Sequence, residues 1–296
     1  MPKETPKKRF SLKDHLFNRE RVRYLANLFH AADSKFDATK FTRKATAPFK
    51  KLELKERIVH IAETLEAFLP KDFAKASERI IEALPPPLDP TKTDDDFGDF
   101  IIAPLGEYVV RNGIEKKHAR RSLKTLKEIT KRFSMEDAIR KFIDAHTDVT
   151  MKELTKWSRD KNYHVRRLVS EGTRPLLPWS GRLSIDLLDP LPYLDQLHSD
   201  RTRYVTRSVA NHLNDIAKSQ PKLVVDRLKQ WKKLGQQDAA EFSWMSKHAL
   251  RTLIKQGDKG ALRFLGFRAN PKIAVTDFRI ETPKVKGGDA LKFSFA

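Results

Sequence analysis

The sequence predicts an all-α chain built as a repeat solenoid of paired helices, with a short β segment towards residue 296. Three observations carry this reading. Apolar residues recur at three- and four-residue spacing almost throughout the 296 residues, the period of a helix with one buried side. Glycine, a poor helix former, is sparse at 11 residues. Two stretches also repeat at a spacing of 40: DKNYHVRRLVSEGTRP from Asp160 and DRTRYVTRSVANHLND from Asp200 share Asp, Val, Arg and Val at 160/200, 165/205, 167/207 and 169/209. A looser third copy, at the same spacing again, puts Met245, Lys247, Ala249 and Arg251 in register.

A period of 40 residues in paired helices is that of HEAT-type solenoids, whose units bury their apolar faces on one another. Helices are expected near 18–31, 52–68, 71–83, 98–112, 116–131 and 135–145. Further ones follow near 150–158, 162–174, 182–188, 191–197, 202–218, 221–233, 239–256 and 258–264. The stretch LPPPLDPTKTDDDFGD (84–99) reads as a loop, because its prolines forbid a continuing helix and its acids favour solvent. The end of the chain, VTDFRIETPKVKGGDALKFSFA, alternates like two strands around a Gly-Gly turn. The division expected is a solenoid over 11–267 and a tail, or the truncated start of a β domain, over 268–296; two strands alone do not make a stable sandwich.

With 59 Lys+Arg against 39 Asp+Glu the formal net charge is +20, which points to a polyanionic partner, nucleic acid before anionic lipid. No apolar run is long enough to span a membrane, and MPKETPKKRF has no apolar region behind its charges. The expectation is a soluble, cytoplasmic protein. Cysteine is absent, which excludes disulfides, cysteine-held iron–sulfur clusters and thiol zinc sites. Neither HExxH nor a phosphate-binding glycine loop occurs, so no metal or cofactor is expected and an enzyme here would work with carboxylates and water.

The repeat makes one helix side readable. Val165, Leu168, Val169 and Gly172 form a core side, and Arg167, Glu171 and Arg174 form another. The second copy adds Arg207, Asn211 and Asn214, and the third adds Lys247 and Arg251. Stacked, these make a mostly basic ladder suited to a phosphate backbone. Glu171 is its odd member. The bland account is an exposed i, i+4 pair with Arg167, contributing a few tenths of a kcal/mol. Glu136, between Ser134 and Asp137, has an equally bland account as part of a capping box. Trp157, Trp231 and Trp244 read as core, while Trp179 is either packing between repeats or a surface contact.

RRLVSEGTRPLLPW (166–179), SVANHLNDIAK (208–218), KHALRTLIKQGD (247–258), APLGEYVVRNG (103–113) and TKRFSMEDAIRKFI (130–143) together resemble the AlkC branch of the AlkC/AlkD superfamily of HEAT-like DNA alkylation-repair glycosylases, over about residues 11–267. The resemblance implies a monomeric solenoid whose concave basic face grips duplex DNA. It implies hydrolysis of the N-glycosidic bond of cationic alkylated bases, chiefly 3-methyladenine, without full base flipping. The family's acidic residues fall on Glu136 and Glu171, its arginine on Arg167 and its DNA-facing tryptophan on Trp179. Asp137 and Lys141 stand where the family usually reads Phe and Pro, and Leu176 where it usually reads a basic residue. Longer members continue into an Ig-like β-sandwich.

This resemblance gives the acid at Glu171 a purpose. A base methylated at N3 of adenine is a cationic leaving group and needs no protonation. What remains is to stabilise an oxocarbenium ion and to place a water, which carboxylates do in glycoside hydrolysis. Arg167, Arg174, Trp179, Arg207, Asn211, Asn214, Lys247 and Arg251 are then the expected DNA-binding set. The alternative is a HEAT-repeat module that binds nucleic acid without chemistry; it explains Arg167 but not Glu136 and Glu171 together.

Overall fold

The computed structural model describes residues 10–92, 94, 97–268 and 274–296. Part of the acidic loop (93, 95 and 96) and the stretch 269–273 beside the expected domain boundary lie outside the described residues. The helices are α1 (Leu12–Leu16), α2 (Arg19–Ala32), α3 (Ala38–Thr46), α4 (Leu54–Glu66), α5 (Phe73–Glu82), α6 (Ala103–Gly113), α7 (Ala119–Thr130), α8 (Glu136–Ala145) and α9 (Thr147–Trp157). There follow α10 (Tyr163–Gly172), α11 (Leu191–Leu197), α12 (Arg203–Ala217), α13 (Pro221–Leu234), α14 (Ala239–Ala249), α15 (Arg251–Lys255) and α16 (Lys259–Phe264). A two-stranded antiparallel ribbon, β1 (Arg279–Ile280) and β2 (Phe293–Ser294), closes the list of elements.

Helices α4, α6, α8, α10, α12 and α14 pack one on the next in a single row, with α5, α7 and α9 stacked behind the first half of it and α11 and α13 against α10 and α12. This is an all-α solenoid of paired helices. The repeat shows in its burial: Val165, Val205 and Met245 occupy one level, Val169, Val209 and Ala249 the next, and all six are fully buried. Local sequence sets the ends. The Asn162 side chain accepts from the His164 and Val165 amides at the start of α10, Asp238 does the same for Ala240 and Glu241 at α14, and Gly235 ends α13 at φ 62°. At the end of α10 the neighbouring row member comes close: a Cβ on Gly172 would lie 2.5 Å from Ile139 Cγ2 of α8, so this crossing needs glycine.

Several expectations change. Helix α3 is absent from the sequence reading because ATKFTRKAT is short and mostly polar, with only Ala38, Phe41 and Ala45 on its apolar side; Asp37 caps it, and Phe41 and Ala45 bury it. Residues 182–188, read as a helix, form an irregular loop that bends at 184–185 and turns at 187–188. There the Asp144 side chain accepts from the Ser184 amide and hydroxyl, that of Asp189 from the Asp186 amide and that of Asp186 from the Leu188 amide, so acidic side chains replace the helical acceptors. The expected helix 239–256 breaks at Leu250, where the Asn214 side chain accepts from the Thr252 amide. Trp157 and Trp231 are buried, but Trp244 is half-buried, stacked on His248 with the Arg203 guanidinium carbon 3.9 Å from its ring centroid. The tail forms the ribbon expected of it, and all four of its paired residues are exposed.

Candidate active site

The expected site residues all fall on the one row and the loops beside it. Glu136 opens α8, Arg167 and Glu171 share a side of α10, Arg207, Asn211 and Asn214 lie on α12, and Lys247 and Arg251 lie on α14 and α15. Glu136 is not used as a cap: α8 starts at Glu136 itself, behind Met135, with no side-chain capping bond. Its carboxylate turns instead towards α10. There Arg167 Nη1 donates to Glu136 Oε2 at 3.0 Å, and Ser134 Oγ donates to the same oxygen.

Arg167 is buried, not solvated. Its guanidinium carbon lies 4.4 Å from the Tyr204 ring centroid and 5.5 Å from that of Phe97. Its Nη2 approaches Glu171 Oε2 at 3.6 Å. Glu171 is 5% exposed. Arg174 Nη1 donates to its Oε1 at 2.6 Å, and Ser208 Oγ to its Oε2 at 2.6 Å. Arg174 Nε in turn donates to Asp215 Oδ2 at 2.9 Å, and the solvated Lys218 ammonium stands 3.9 Å from Asp215 Oδ1. The result is an alternating chain of charge: Lys218, Asp215, Arg174, Glu171, Arg167, Glu136. One end is a lysine in solvent and the other a carboxylate. The surface i, i+4 pair of the bland account is therefore one link of a buried network.

Electrostatics follow from this order. Burial alone would raise the Glu171 carboxyl, but Arg167 and Arg174 outweigh it and hold the group below the usual carboxylate range. Burial alone would lower the Arg167 guanidinium, and Glu136 and Glu171 outweigh that to hold it above its ordinary value. Arg174 is raised likewise, against its own burial, by Glu171 and Asp215. Beside them, burial pushes His212 down to about 3, so its imidazole is neutral at pH 7, with Nδ1 3.0 Å from the Ser170 carbonyl.

Glu136 is the carboxylate of the network that meets open space. Its side chain is 27% exposed, and it borders a cleft of about 430 Å³ walled by Phe97, Phe133, Ile58 and Trp179. Glu171 does not border it. Trp179 is 68% exposed and sits at φ 67°, a left-handed backbone that a bulky residue rarely adopts and that concentrates at functional sites. Its carbonyl accepts from Lys55 Nζ of α4. Of the expected DNA-binding residues, Arg167, Arg174 and Asn214 face protein rather than solvent. Arg207 is ion-paired to Asp94 at 2.5 Å, Asn211 accepts from Arg251 Nη2 at 3.1 Å, and Lys247 is exposed.

Sequence reasoning missed Asp215, Ser208, Tyr204 and Phe97. The 40-residue register gives no sign of Asp215, since Pro175 and Lys255 stand at its equivalents. Among the described residues no group of three or more His, Asp or Glu side chains is placed to hold a metal ion, and no helix is long and apolar enough to cross a membrane.

No protein-family model matches the chain. It is 32% identical over 284 residues to the uncharacterized protein YhaZ of Bacillus subtilis (strain 168), spanning 95% of this chain and 75% of that protein. Among solved structures it is similar to the Pseudomonas fluorescens alkylpurine DNA glycosylase AlkC bound to DNA containing an abasic site analog, with a TM-score of 0.79 and 33% identity over 92% of this chain and 72% of that one.

Proposed function

The chain belongs to the AlkC branch of the HEAT-like DNA alkylation-repair glycosylases, and from that premise we propose that it hydrolyses the N-glycosidic bond of cationic alkylated bases, chiefly 3-methyladenine, in duplex DNA. The observation that carries this is the charge chain ending at Glu136. In a protein of net charge +20, a carboxylate that opens on an aromatic-walled cleft, and is backed by a second buried carboxylate, favours a cationic centre.

Glu136 is the carboxylate that faces the reacting sugar. As the bond from C1′ to the base breaks, its electron pair neutralises the departing base, and positive charge moves to the sugar. Glu136 stabilises that charge, and it accepts the proton of the water that adds to C1′, leaving an abasic site. Glu171 acts beside it: shared through Arg167, its charge keeps Glu136 from being fully neutralised by that guanidinium. No proton need reach the leaving base, which suits a site whose neighbouring histidine is neutral. The exposed indole of Trp179 supplies a flat surface at the cleft edge, and Lys247 with Arg207, Arg251 and Asn211 forms the side of the row that meets phosphates. Full extrusion of the base is unnecessary where the leaving group is already activated.

The test is release of free 3-methyladenine from methylated duplex DNA under single-turnover conditions, enzyme in excess. Release by the wild type that is lost in Glu136→Gln supports the reading. Duplex binding with no release identifies a non-catalytic nucleic-acid-binding module instead.

A further inference from the structure

Arg140 is a buried cation that the chemistry above does not use. It lies on α8, one turn after Glu136, and is 4% exposed. No carboxylate forms an ion pair with it among the described residues; its contacts are carbonyl oxygens. Nη1 donates to Gly172 O at 3.1 Å and to Arg174 O at 2.7 Å, and Nη2 donates to Gly181 O at 2.5 Å. The first is the last carbonyl of α10, where acceptors are left without helical donors and where the helix dipole favours a cation; the second lies just past the Thr173 cap. The third lies beyond the loop that carries Trp179.

One planar guanidinium therefore bridges three pieces of backbone: its own helix, which begins at Glu136; the residue after Glu171; and the second residue after Trp179. The loop between has further fastenings. Leu177 is buried, the Ser180 amide donates to Leu177 O at 3.2 Å, Ser180 Oγ donates to Asp137 of α8, and Lys55 reaches the Trp179 carbonyl. Pro175 and Pro178 stiffen it. An exposed tryptophan in a left-handed conformation is thus held by fixed points on two helices, and the central one is Arg140.

We infer that Arg140 is a positioning residue, which fixes the Trp179 loop and the end of α10 in one register with Glu136, so that indole and carboxylates address the same nucleotide. The reactive part of this statement rests on the glycosylase reading; the hold on the loop does not. Lysine at this position keeps the charge but lacks the fork that spans the end of α10 and Gly181.

The experiment compares wild type with Arg140→Lys in two arms. Hydrogen exchange followed by mass spectrometry, without DNA, reads the peptide covering 173–183. Single-turnover release of 3-methyladenine is read beside the affinity for an undamaged duplex. The expected result is faster exchange confined to 173–183, release slowed by about 10²-fold as for a misplaced reactive geometry, and duplex affinity unchanged within about twofold, since Arg140 touches no phosphate-facing group. Unchanged exchange in 173–183, a rise spread evenly over the chain, or release at the wild-type rate overturns the inference. If the wild type releases no base, the glycosylase reading fails, and the exchange arm alone decides the hold on the loop. If Arg140→Lys does not fold, Ser180→Ala decides it, since it removes the fastening to Asp137 and leaves Arg140 in place: exchange in 173–183 unchanged from the wild type supports the clamp, and exchange at open-chain rates overturns it.

Discussion

Glu136→Gln and Glu171→Gln remove the same charge from two ends of one network, and the structure separates their effects. At Glu171 both oxygens are engaged, by Arg174 and Ser208 at 2.6 Å each, with Arg167 at 3.6 Å, and the residue is 5% exposed. Glutamine keeps one acceptor but turns an amide donor towards Ser208 or a guanidinium, and leaves two buried cations short of a partner. Removing one member of a buried ion pair costs about 3–5 kcal/mol, a large part of the roughly 5–15 kcal/mol that a domain has. At Glu136, 27% exposed, water replaces part of what is lost, and the stability cost is about 1 kcal/mol. Excision responds the other way round in diagnostic value. Glu136→Gln removes the charge that faces the cleft and slows release by about 10²–10³-fold in a protein that still melts almost normally. Glu171→Gln slows release too, with a stability loss beside it, and the double variant is less than additive because both act through Arg167. Urea unfolding and single-turnover release on all four proteins make the measurement. A Glu136→Gln protein that excises at the wild-type rate, or a Glu171→Gln protein as stable as its parent, refutes this account of the network.

Three further outcomes are expected. Affinity for undamaged duplex falls steeply with salt, and Lys247→Ala, which removes an exposed cation of the row, lowers the slope of log K against log salt by about 0.9 if Lys247 neutralises one phosphate; an unchanged slope removes Lys247 from the DNA-binding set. Stability falls on mild acidification, because His212 is held neutral in the fold with a value pushed down to about 3 against 6.5 when unfolded: its contribution is complete above pH 6.5 and is lost as pH falls towards 3, about 2 kcal/mol of it by pH 5. Glu171, held below its ordinary 4.5, adds loss only at lower pH, so His212→Phe flattens the pH 5–7 region of a urea-midpoint profile and leaves the acid end. Gly172→Ala forces α8 and α10 apart at Ile139, where the new Cβ would sit 2.5 Å from Cγ2, costing about 1–3 kcal/mol and slowing release by lengthening the Arg167–Glu136 contact; Ile139→Ala, which deletes that Cγ2, restores part of the release in the same assay.

The row of helices was legible because its signal is periodic. Val165, Val205 and Met245 recur at equal spacing and share one buried level, and α11 falls where the sequence puts it, at 191–197. Reading failed where side chains compete with the backbone, as in the aspartates of 182–189, or where the helix is short and polar, as in α3. The candidate site divides on the same line. Arg167 and Glu171 are visible as neighbours at i, i+4, and that spacing by itself describes a weak surface pair. What makes them something else comes from far along the chain: Tyr204 under the guanidinium, Ser208 on the carboxylate, Asp215 behind Arg174 and Phe97 at the cleft. None of these recurs with the repeat, because a repeat encodes the packing that every unit needs and not the one place where units differ. The same difference explains why an acid survives in a basic row. Each carboxylate of the network is held between cations except the last, and the last opens on the cleft; on the proposed reading, the row then offers positive charge to phosphates and a single negative end to the cationic lesion.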